Sequence, residues 1–490
     1  MNALKKSLAL IATLAIASTA FYACGTDTPA NTDSTTEDST VEDSTVEDST
    51  EDSTPAEDSG EDNSSTDDVA IDVPETGDKL SVLCWTGDDV EKMIENFTKN
   101  KPEYAGKVEY VNVGSKGQEA REQYATYFAG GEDADLFVLE ADWILEYINN
   151  DEYTAPLSKL GFTDADFSGC YPYTVSIGTD NNGVLKAASW QATPGAYVYR
   201  ADLAEEYLGV KTPEEMQPFV DSWDKFTETA KTVKEKSGGK CAMADTLGGM
   251  WQVWQYNRAN AWAKDDKLVI DDYCKEYAEL AKNYWDNGYV TKESQWDDKG
   301  WYPIGQDGST MGYFFCTWCL GKGSMLSNAE GGMEDDGETP KNADIYGKYR
   351  ITAGPSEWAW GGSWLALSPN CDNGEIARDF VKYFTVDEDT MEDYALFKGE
   401  FVNNPTVMKK IVDDGSNKNA LLGDQDQFSV LYASASKIDM DGKITAYDAQ
   451  IKDAFNNAVT KYVKGEVASY DDMITEFKKN AATIEGLTVE

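Results

Sequence analysis

Aromatic side chains lie beside carboxylates at two places in this sequence. Trp85 precedes Asp88 by three residues, and Asp142 directly precedes Trp143. An aromatic face covers the apolar C–H groups of a ligand, while a carboxylate accepts hydrogen bonds from its hydroxyl or amino groups. These residue types therefore predict the binding of a flat ligand with a polar rim, and they require no bond to be made or broken.

A third aromatic cluster lies on glycine-rich backbone near residue 360. Trp358, Trp360 and Trp364 surround the pair Gly361-Gly362. Glycine adopts backbone conformations that other residues avoid, so a loop of this kind can hold rings at a surface. We expect the loop to meet a ligand; the alternative is that the tryptophans pack in a core.

The composition excludes several classes of site. The sequence has no histidine, which excludes Ser-His-Asp and Cys-His nucleophilic sites and histidine-containing zinc sites. A formal net charge of -47 argues against nucleic acid and anionic membrane surfaces as partners. The turns after the first strands carry no Gly-x-Gly-x-x-Gly or Gly-Lys-Ser pattern, and we expect no cofactor.

Strands and helices alternate around these residues. Apolar patterns predict strands at 80–85, 108–113 and 135–139, with helices at 89–97 and 118–128 between them. Strands separated by helices form parallel sheets, whose ligands bind beyond the carboxyl ends of the strands. Both carboxylate-aromatic pairs follow such strand ends.

A second α/β pattern begins at about residue 196. A strand runs into a helix at 196–203, a longer helix covers 222–236, and strands are predicted at 240–244 and 310–316. The last hundred residues are predicted to be mainly helical, with one apolar stripe at helical spacing from 447 to 462. Because 490 residues are too many for one ordinary core, the chain should have two or more lobes.

The N-terminus predicts a signal peptide. Lys5 and Lys6 precede an apolar run that ends at Ala23 and is too short to span a membrane comfortably. Small residues before a cysteine at this place resemble the bacterial lipobox. We expect residues 1–23 to be removed and Cys24 to carry a lipid.

An acidic low-complexity segment follows the cysteine. Residues 25–78 hold 19 acidic and no basic side chains, and Glu-Asp-Ser-Thr recurs within them. This composition has too few apolar groups to offset the entropy of ordering, so we expect residues 24–78 to form a disordered tether. The folded body should begin at Lys79.

Several features occur in a fixed order from residue 79 to the C-terminus. They are Trp85 with Asp88, the strand end at 135–143, the crossover at 197–203 with 222–224 behind it, the strand before Trp318, and 361–367 with the helix at 375–384. Their joint order resembles the carbohydrate-type solute-binding proteins of ABC importers. The resemblance implies an α/β fold of the periplasmic-binding-protein type, with two lobes, a hinge, an interlobe ligand cleft and a helical C-terminal part.

By that analogy the N-lobe comprises 79–195 and 356–392, and the C-lobe comprises 196–355 and 393–490. Two lobes that close on a ligand create a shape that a permease can recognise. The resemblance therefore implies capture of a mono- or oligosaccharide and its delivery to the permease subunits of an ABC transporter. Such a protein is not an enzyme, acts as a monomer, and is held by its N-terminal lipid at the extracellular face of the bacterial cell membrane.

Specific binding residues follow from this interpretation, because sugar rings offer an apolar face to aromatic rings and hydroxyls to carboxylates and amides. The predicted stacking residues are Trp85, Trp190, Trp251, Trp318 and Trp360. The predicted hydroxyl partners are Asp88, Asp142 and Gln191, with Gly362 in the loop. Trp251 and Trp318 match positions where the family stacks sugar, whereas Thr193 stands where the family has an acidic residue.

Two other functions fit the same residues. A surface glycosidase also pairs carboxylates with tryptophans, and it would turn glycans over instead of binding them stoichiometrically. A polyamine binder of the same fold would use an acidic, tryptophan-rich cleft to hold cations.

Two further motifs leave alternatives open. Cys316-Thr-Trp-Cys319 is a single Cys-x-x-Cys, for which a disulfide beside Trp318 remains an alternative to free thiols. The segment 439–442 partly matches a calcium loop but lacks its closing glutamate, which is Asp448 here. We expect a polar turn there.

Overall fold

The computed structural model describes residues 70–113, 118–130, 134–293, 303–321 and 324–490. Residues from Ala70 to Glu490 form one compact unit. The predicted signal peptide, the lipidation site Cys24 and most of the predicted tether lie outside the described residues. Within the described parts of the chain, no helix has the length and apolar character that crossing a bilayer requires.

The ordered body begins earlier than the composition indicates. The sequence places 70–78 in the tether, yet Asp72 N donates to Lys159 O at 2.6 Å and Thr76 N donates to Asp372 O at 2.8 Å. These are backbone hydrogen bonds, which any residue except proline can donate. Composition therefore cannot reveal them.

The strands form two main sheets and one small ribbon. In chain order they are β1 Leu80–Cys84, β2 Val108–Asn112, β3 Leu136–Glu140, β4 Ala187–Ser189, β5 Gly195–Arg200, β6 Ala242–Ala244, β7 Ala263–Lys264, β8 Lys267–Leu268, β9 Thr310–Cys316, β10 Tyr349–Thr352 and β11 Ser363–Leu367. The first sheet has the order β2-β1-β3-β11-β4 and the second has the order β10-β5-β9-β6, while β7 pairs with β8.

Helices connect the strands and make up most of the C-terminal part. In chain order the α-helices are α1 Gly87–Asn100, α2 Gln118–Gly130, α3 Ile144–Ile148, α4 Pro172–Ile177, α5 Ala201–Leu208, α6 Pro213–Val220, α7 Trp223–Lys236, α8 Leu247–Gln255, α9 Asp272–Asn287, α10 Pro303–Gln306, α11 Met325–Ala329, α12 Gly374–Thr385, α13 Glu388–Lys398, α14 Pro405–Asp414, α15 Gln427–Ala435, α16 Asp448–Val463 and α17 Tyr470–Ala481. Short 3₁₀ helices cover Pro102–Tyr104, Leu157–Leu160, Asp164–Phe167, Thr317–Cys319 and Ala420–Leu422.

The first sheet is mixed. β1 pairs in parallel with β2 and β3, as the alternation of strands and helices predicts. β11 runs antiparallel between β3 and β4, so Ser363 at its start pairs with Glu140 at the end of β3. The loop before β11 and the turn after β3 therefore lie at the same edge of the sheet.

The second sheet brings another loop towards the segment that joins the two sheets. β5 pairs antiparallel with β9 and β10, and β6 pairs in parallel with β9. Gly195 at the start of β5 is opposite Cys316 at the end of β9. Trp318, two residues after β9, thus lies next to the point where the chain enters the second sheet.

Three segments carry the chain between the two lobes, and the first of them pairs with each of the other two. They are 190–194, 353–362 and 399–404. Trp360 N donates to Thr193 O at 3.0 Å, and Ala192 N donates to Phe401 O at 3.0 Å. Paired connections of this kind form a hinge between two α/β lobes.

The tryptophans around the glycine pair differ in their surroundings. Trp358 and Trp364 are fully buried, and Trp364 Nε1 donates to Thr174 O at 2.9 Å. A Cβ atom on Gly195 would lie 2.3 Å from the Trp358 ring, so that ring fills the space a side chain would occupy. These two rings are core residues. Trp360, predicted to stack on ligand, is also buried in this core cluster, but it lies at the sheet edge.

Candidate functional site

The turn after β3 and the loop before β11 form a polar edge. Ala141 N donates to Gly362 O at 3.3 Å, which holds the loop against the end of the strand. Glu140 Oε2 accepts a hydrogen bond from Asp142 N at 2.8 Å. Two carboxyl groups are therefore placed on one short turn.

Gly361 and Gly362 have φ values of 65° and 110°, a region that favours glycine. A Cβ atom on Gly362 would lie 2.9 Å from the ring of Trp364. One on Gly361 would lie 3.5 Å from Glu140 Oε1 and 3.8 Å from Trp318 Nε1. The glycine pair thus lets the backbone pass close to side chains from both lobes.

Trp318 and Trp360 contact each other at this edge. Trp318 Nε1 donates to Trp360 O at 3.1 Å, and the ring centroids are 4.7 Å apart at an interplanar angle of 58°. Trp318 is half-buried, and Trp360 is 8% exposed. Each ring covers part of the other, so a ligand can stack on the covered part of either ring only if the two rings separate.

A lysine from the C-terminal helices completes the edge. Lys452 on α16 donates from Nζ to Asp142 Oδ2. Burial, and then the Asp142 carboxylate, raise the pKa of Glu140 to about 8, so Glu140 keeps its proton to a higher pH than an ordinary glutamate. Burial lowers the pKa of Lys452, but the carboxylates of Asp142 and Glu140 outweigh it and raise that pKa. Asp142 and Lys452 therefore form the charged pair of the site.

Tyr256, just after α8, adds a hydroxyl near the same carboxyls. Burial, and then Asp142, raise the pKa of Tyr256 well above its usual range, with further contributions from Tyr173 and Glu140. The Tyr256 hydroxyl stays protonated at every physiological pH. It can donate a hydrogen bond to a ligand oxygen.

Two other ion pairs lie beside this edge. An amino group of the Arg258 guanidinium donates to Asp448 Oδ2 at 2.5 Å. Arg121 Nε donates to both carboxylate oxygens of Glu146, at 2.9 and 2.8 Å. Asp142, Asp448 and Glu146 are therefore each paired with a basic side chain, although the chain as a whole is strongly acidic.

Trp85 belongs to the same edge, because β1 lies beside β3. Its half-buried ring packs edge-on against Trp143, with centroids 5.5 Å apart. Asp88 lies in the first turn of α1, and its side chain is outside the described parts of the structure. Of the residues predicted to bind ligand, the structure thus places Asp142, Trp318, Trp360 and Gly362 at one edge, and it places Trp85 against Trp143, the neighbour of Asp142.

Trp190 and Gln191 were predicted to contact ligand, but both are buried inside the hinge. Their exposed fractions are 1% and 4%, and Asn403 N donates to Trp190 O at 3.1 Å. Trp190 is buried in the hinge because its backbone pairs with the segment 399–404. Gln191 Oε1 is buried there and accepts no hydrogen bond from the described residues.

Trp251 lies in the core of the second lobe, contrary to its predicted role as a stacking surface. Its side chain is 4% exposed, and its ring centroid lies 4.8 Å from Tyr277, 5.5 Å from Phe455 and 6.2 Å from Trp262. Every residue of α8 from Gly249 to Gln255 is buried, so this helix has no open face at Trp251.

The two remaining motifs have simple local structures. The seven cysteines among the described residues are free and buried. The Sγ atoms of Cys316 and Cys319 are 3.7 Å apart and form no disulfide bond. Asp441 N donates to Asp439 Oδ1 at 3.1 Å in a polar turn. The described residues contain no group of three or more acidic or cysteine side chains that could hold a metal ion.

Sequence reasoning missed Lys452 and Tyr256 as site residues. Lys452 is 310 residues from Asp142 and occupies a polar position of an amphipathic helix, where a solvated lysine is the ordinary expectation. Glu140 was recognisable as a carboxylate at a strand end. Lys452 and Tyr256 carry no such local signal.

The buried acids predict that stability falls as pH rises from about 5 to about 8. Glu140 holds its proton more tightly in the folded state, so its contribution is present below its unfolded pKa and is lost as pH rises through about 8. Burial raises the pKa of Glu330 to about 8 and that of Glu400 to about 7, which acts in the same direction. Glu140→Gln should flatten the decline of melting temperature with pH. The exposed Glu122→Gln should not, and equal slopes in both variants would contradict the assignment.

The comparisons with known proteins agree with this architecture. The model of the bacterial extracellular solute-binding protein family matches residues 92–423. A crystal structure of an extracellular solute-binding protein of family 1 has a TM-score of 0.69 and 16% identity, covering 83% of this chain and 100% of that chain. No curated protein matches the chain in sequence.

Two further solved structures share the fold at low identity. The ABC transporter associated binding protein from B. animalis subsp. lactis Bl-04, in complex with β-1,6-galactobiose, has a TM-score of 0.63 and 17% identity, covering 84% of this chain and 99% of that chain. The galacto-N-biose/lacto-N-biose I-binding protein from Bifidobacterium longum, in complex with lacto-N-biose, has a TM-score of 0.62 and 15% identity, covering 84% and 100%. The fold is thus the two-lobe fold of periplasmic binding proteins. With more than half of its length matched by the family model, the chain belongs to the bacterial extracellular solute-binding proteins.

Proposed function

We propose that this protein captures an uncharged mono- or oligosaccharide between its lobes and delivers it to the permease subunits of an ABC transporter. The observation that carries the proposal is the meeting of Trp318 and Trp360 beside the carboxyls of Glu140 and Asp142. A sugar ring needs both an aromatic face and hydrogen-bond acceptors for its hydroxyls. When the lobes open, Trp318 and Trp360 separate. A sugar ring then packs against the ring faces that the two tryptophans had covered.

The charge balance supports a neutral sugar over a polyamine. Asp142 already binds the Lys452 ammonium, and burial and Asp142 raise the pKa of Glu140, which disfavours a second negative charge beside it. A cationic ligand would have to displace Lys452 from Asp142. A hydroxyl group does not need to do so.

The relatives support the same ligand class. The proteins of similar fold from B. animalis and B. longum were solved with β-1,6-galactobiose and lacto-N-biose. Family membership supports binding without turnover, since solute-binding proteins release their ligand unchanged. The N-terminal sequence supports the remaining parts of the proposal, which are a lipid on Cys24 and a monomer anchored at the extracellular face of the cell membrane.

A binding screen with a product assay tests this proposal. The chain from Gly25 onward, made without the lipid, is titrated calorimetrically with β-1,6-galactobiose, lacto-N-biose, maltose and spermidine. We expect saturable one-to-one binding of at least one neutral saccharide, no spermidine binding and no hydrolysis product. Tight spermidine binding without saccharide binding would identify a polyamine binder instead. Release of free monosaccharide would identify a glycosidase.

A further inference from the structure

Lys452 reaches the first lobe from a helix that the second lobe holds in place. Its neighbours Ile451 and Phe455 on α16 are fully buried in the core cluster that contains Trp251. The Lys452 side chain is 12% exposed, and its Nζ donates to Asp142 Oδ2 in the first lobe. The packed helix therefore fixes the backbone of Lys452, and the low exposure of its side chain restricts where the ammonium can lie.

The groups around this ammonium form a site for one positive charge. Asp142 binds it directly, and the Glu140 carboxyl lies on the same turn. Of the other charged side chains nearby, Asp453 has an exposed side chain by surface area, although burial raises the pKa of its carboxyl, and it adds a weaker negative charge near Lys452. Arg121 is paired with Glu146. An amine of a ligand that reached Asp142 would have to occupy the place that the lysine already fills.

We infer that Lys452 is the charge-selectivity residue of the ligand site, where its ammonium occupies the cation position beside Asp142 and so restricts the site to uncharged polyols. This inference rests on the proposed function and adds how amines are excluded from the same site. Removing the lysine leaves the Asp142 carboxylate without its partner in a partly covered position, since its side chain is only 36% exposed. A ligand amine then restores the lost pair.

Calorimetry with spermidine on Lys452→Met tests the inference, because methionine keeps an unbranched apolar stem and removes the charge. We expect spermidine affinity to rise by about tenfold or more over the unsubstituted protein, the scale of one partly buried ion pair. The added substitution Asp142→Asn should abolish this gain. Lys452→Arg should exclude spermidine as the unsubstituted protein does.

Lys461→Met is the matched control. Lys461 lies on the same helix but pairs with Glu476, away from the site. Its replacement should leave spermidine affinity unchanged. If Lys452→Met fails to fold, Lys452→Gln is titrated with spermidine in its place. Glutamine removes the charge but keeps a hydrogen-bond donor for Asp142.

The outcomes separate this inference from the proposed function. A folded Lys452→Met or Lys452→Gln that binds spermidine no better than the unsubstituted protein would overturn the role of Lys452, even where a saccharide binds. A gain in spermidine binding that depends on Asp142 would support that role. If no saccharide binds the unsubstituted protein, the proposed sugar ligand fails while the charge role of Lys452 stands.

Discussion

Replacing Trp251 with alanine is expected to lower the free energy of unfolding by about 3–5 kcal/mol, the usual cost of truncating a buried tryptophan. The Trp251 ring packs against Tyr277, Phe455 and Trp262, and its side chain is 4% exposed. The measurement is the urea midpoint at constant m-value. Ligand affinity of the folded variant should be unchanged, because the ring takes no part in the edge formed by Trp318 and Asp142.

Trp285→Ala is the matched control for this loss. Trp285 is a half-buried tryptophan on α9 whose ring lies 5.1 Å from Lys292 Nζ. Its truncation should cost clearly less stability than that of Trp251. An unshifted midpoint for Trp251→Ala together with lost ligand affinity would instead place Trp251 on the binding surface.

Replacing Trp318 with alanine should weaken saccharide binding by about 1–3 kcal/mol, which corresponds to roughly 5- to 150-fold. Trp318 is half-buried and meets the other lobe through Trp360, with ring centroids 4.7 Å apart. Its loss should change folding stability much less than the loss of Trp251, because it packs at the junction of the lobes. Calorimetric affinity and urea midpoints for both variants give the comparison.

Trp318→Phe separates stacking from packing. Phenylalanine keeps an aromatic face but cannot make the hydrogen bond from Nε1 to Trp360 O. This variant should retain most of the saccharide affinity if stacking dominates. A large loss of stability with unchanged affinity in Trp318→Ala would move this ring into the core and remove the main platform of the site.

The local residue pattern predicted most of the helices and strands but few of the strand pairings. Strands expected at 80–85, 108–113 and 310–316 are observed as Leu80–Cys84, Val108–Asn112 and Thr310–Cys316. These segments are recognisable because burial of alternating or continuous apolar residues leaves a periodic trace in the sequence. The antiparallel insertion of β11 between β3 and β4 leaves no such trace, since strand pairing depends on where distant segments meet.

The candidate site shows the same division. Trp85 and Asp142 follow the carboxyl ends of predicted strands, so a rule about sheet edges was enough to place them. Trp251 looked equivalent to Trp318, because both follow a strand or glycine signal in the second lobe. Their opposite placement arises from how α8 and the loop after β9 pack, and one-dimensional spacing does not contain that information.

The sequence by itself determined the α/β class, the absence of histidine chemistry and the strand-end carboxylates, because each depends on residue type or short-range periodicity. The tertiary structure alone decided which side chains share a surface. It joined Asp142 to Lys452 across 310 residues and buried Trp190 and Trp251. The reason is physical: ion pairing and burial depend on distances in space, and a chain that crosses its hinge three times brings together residues that the sequence keeps far apart.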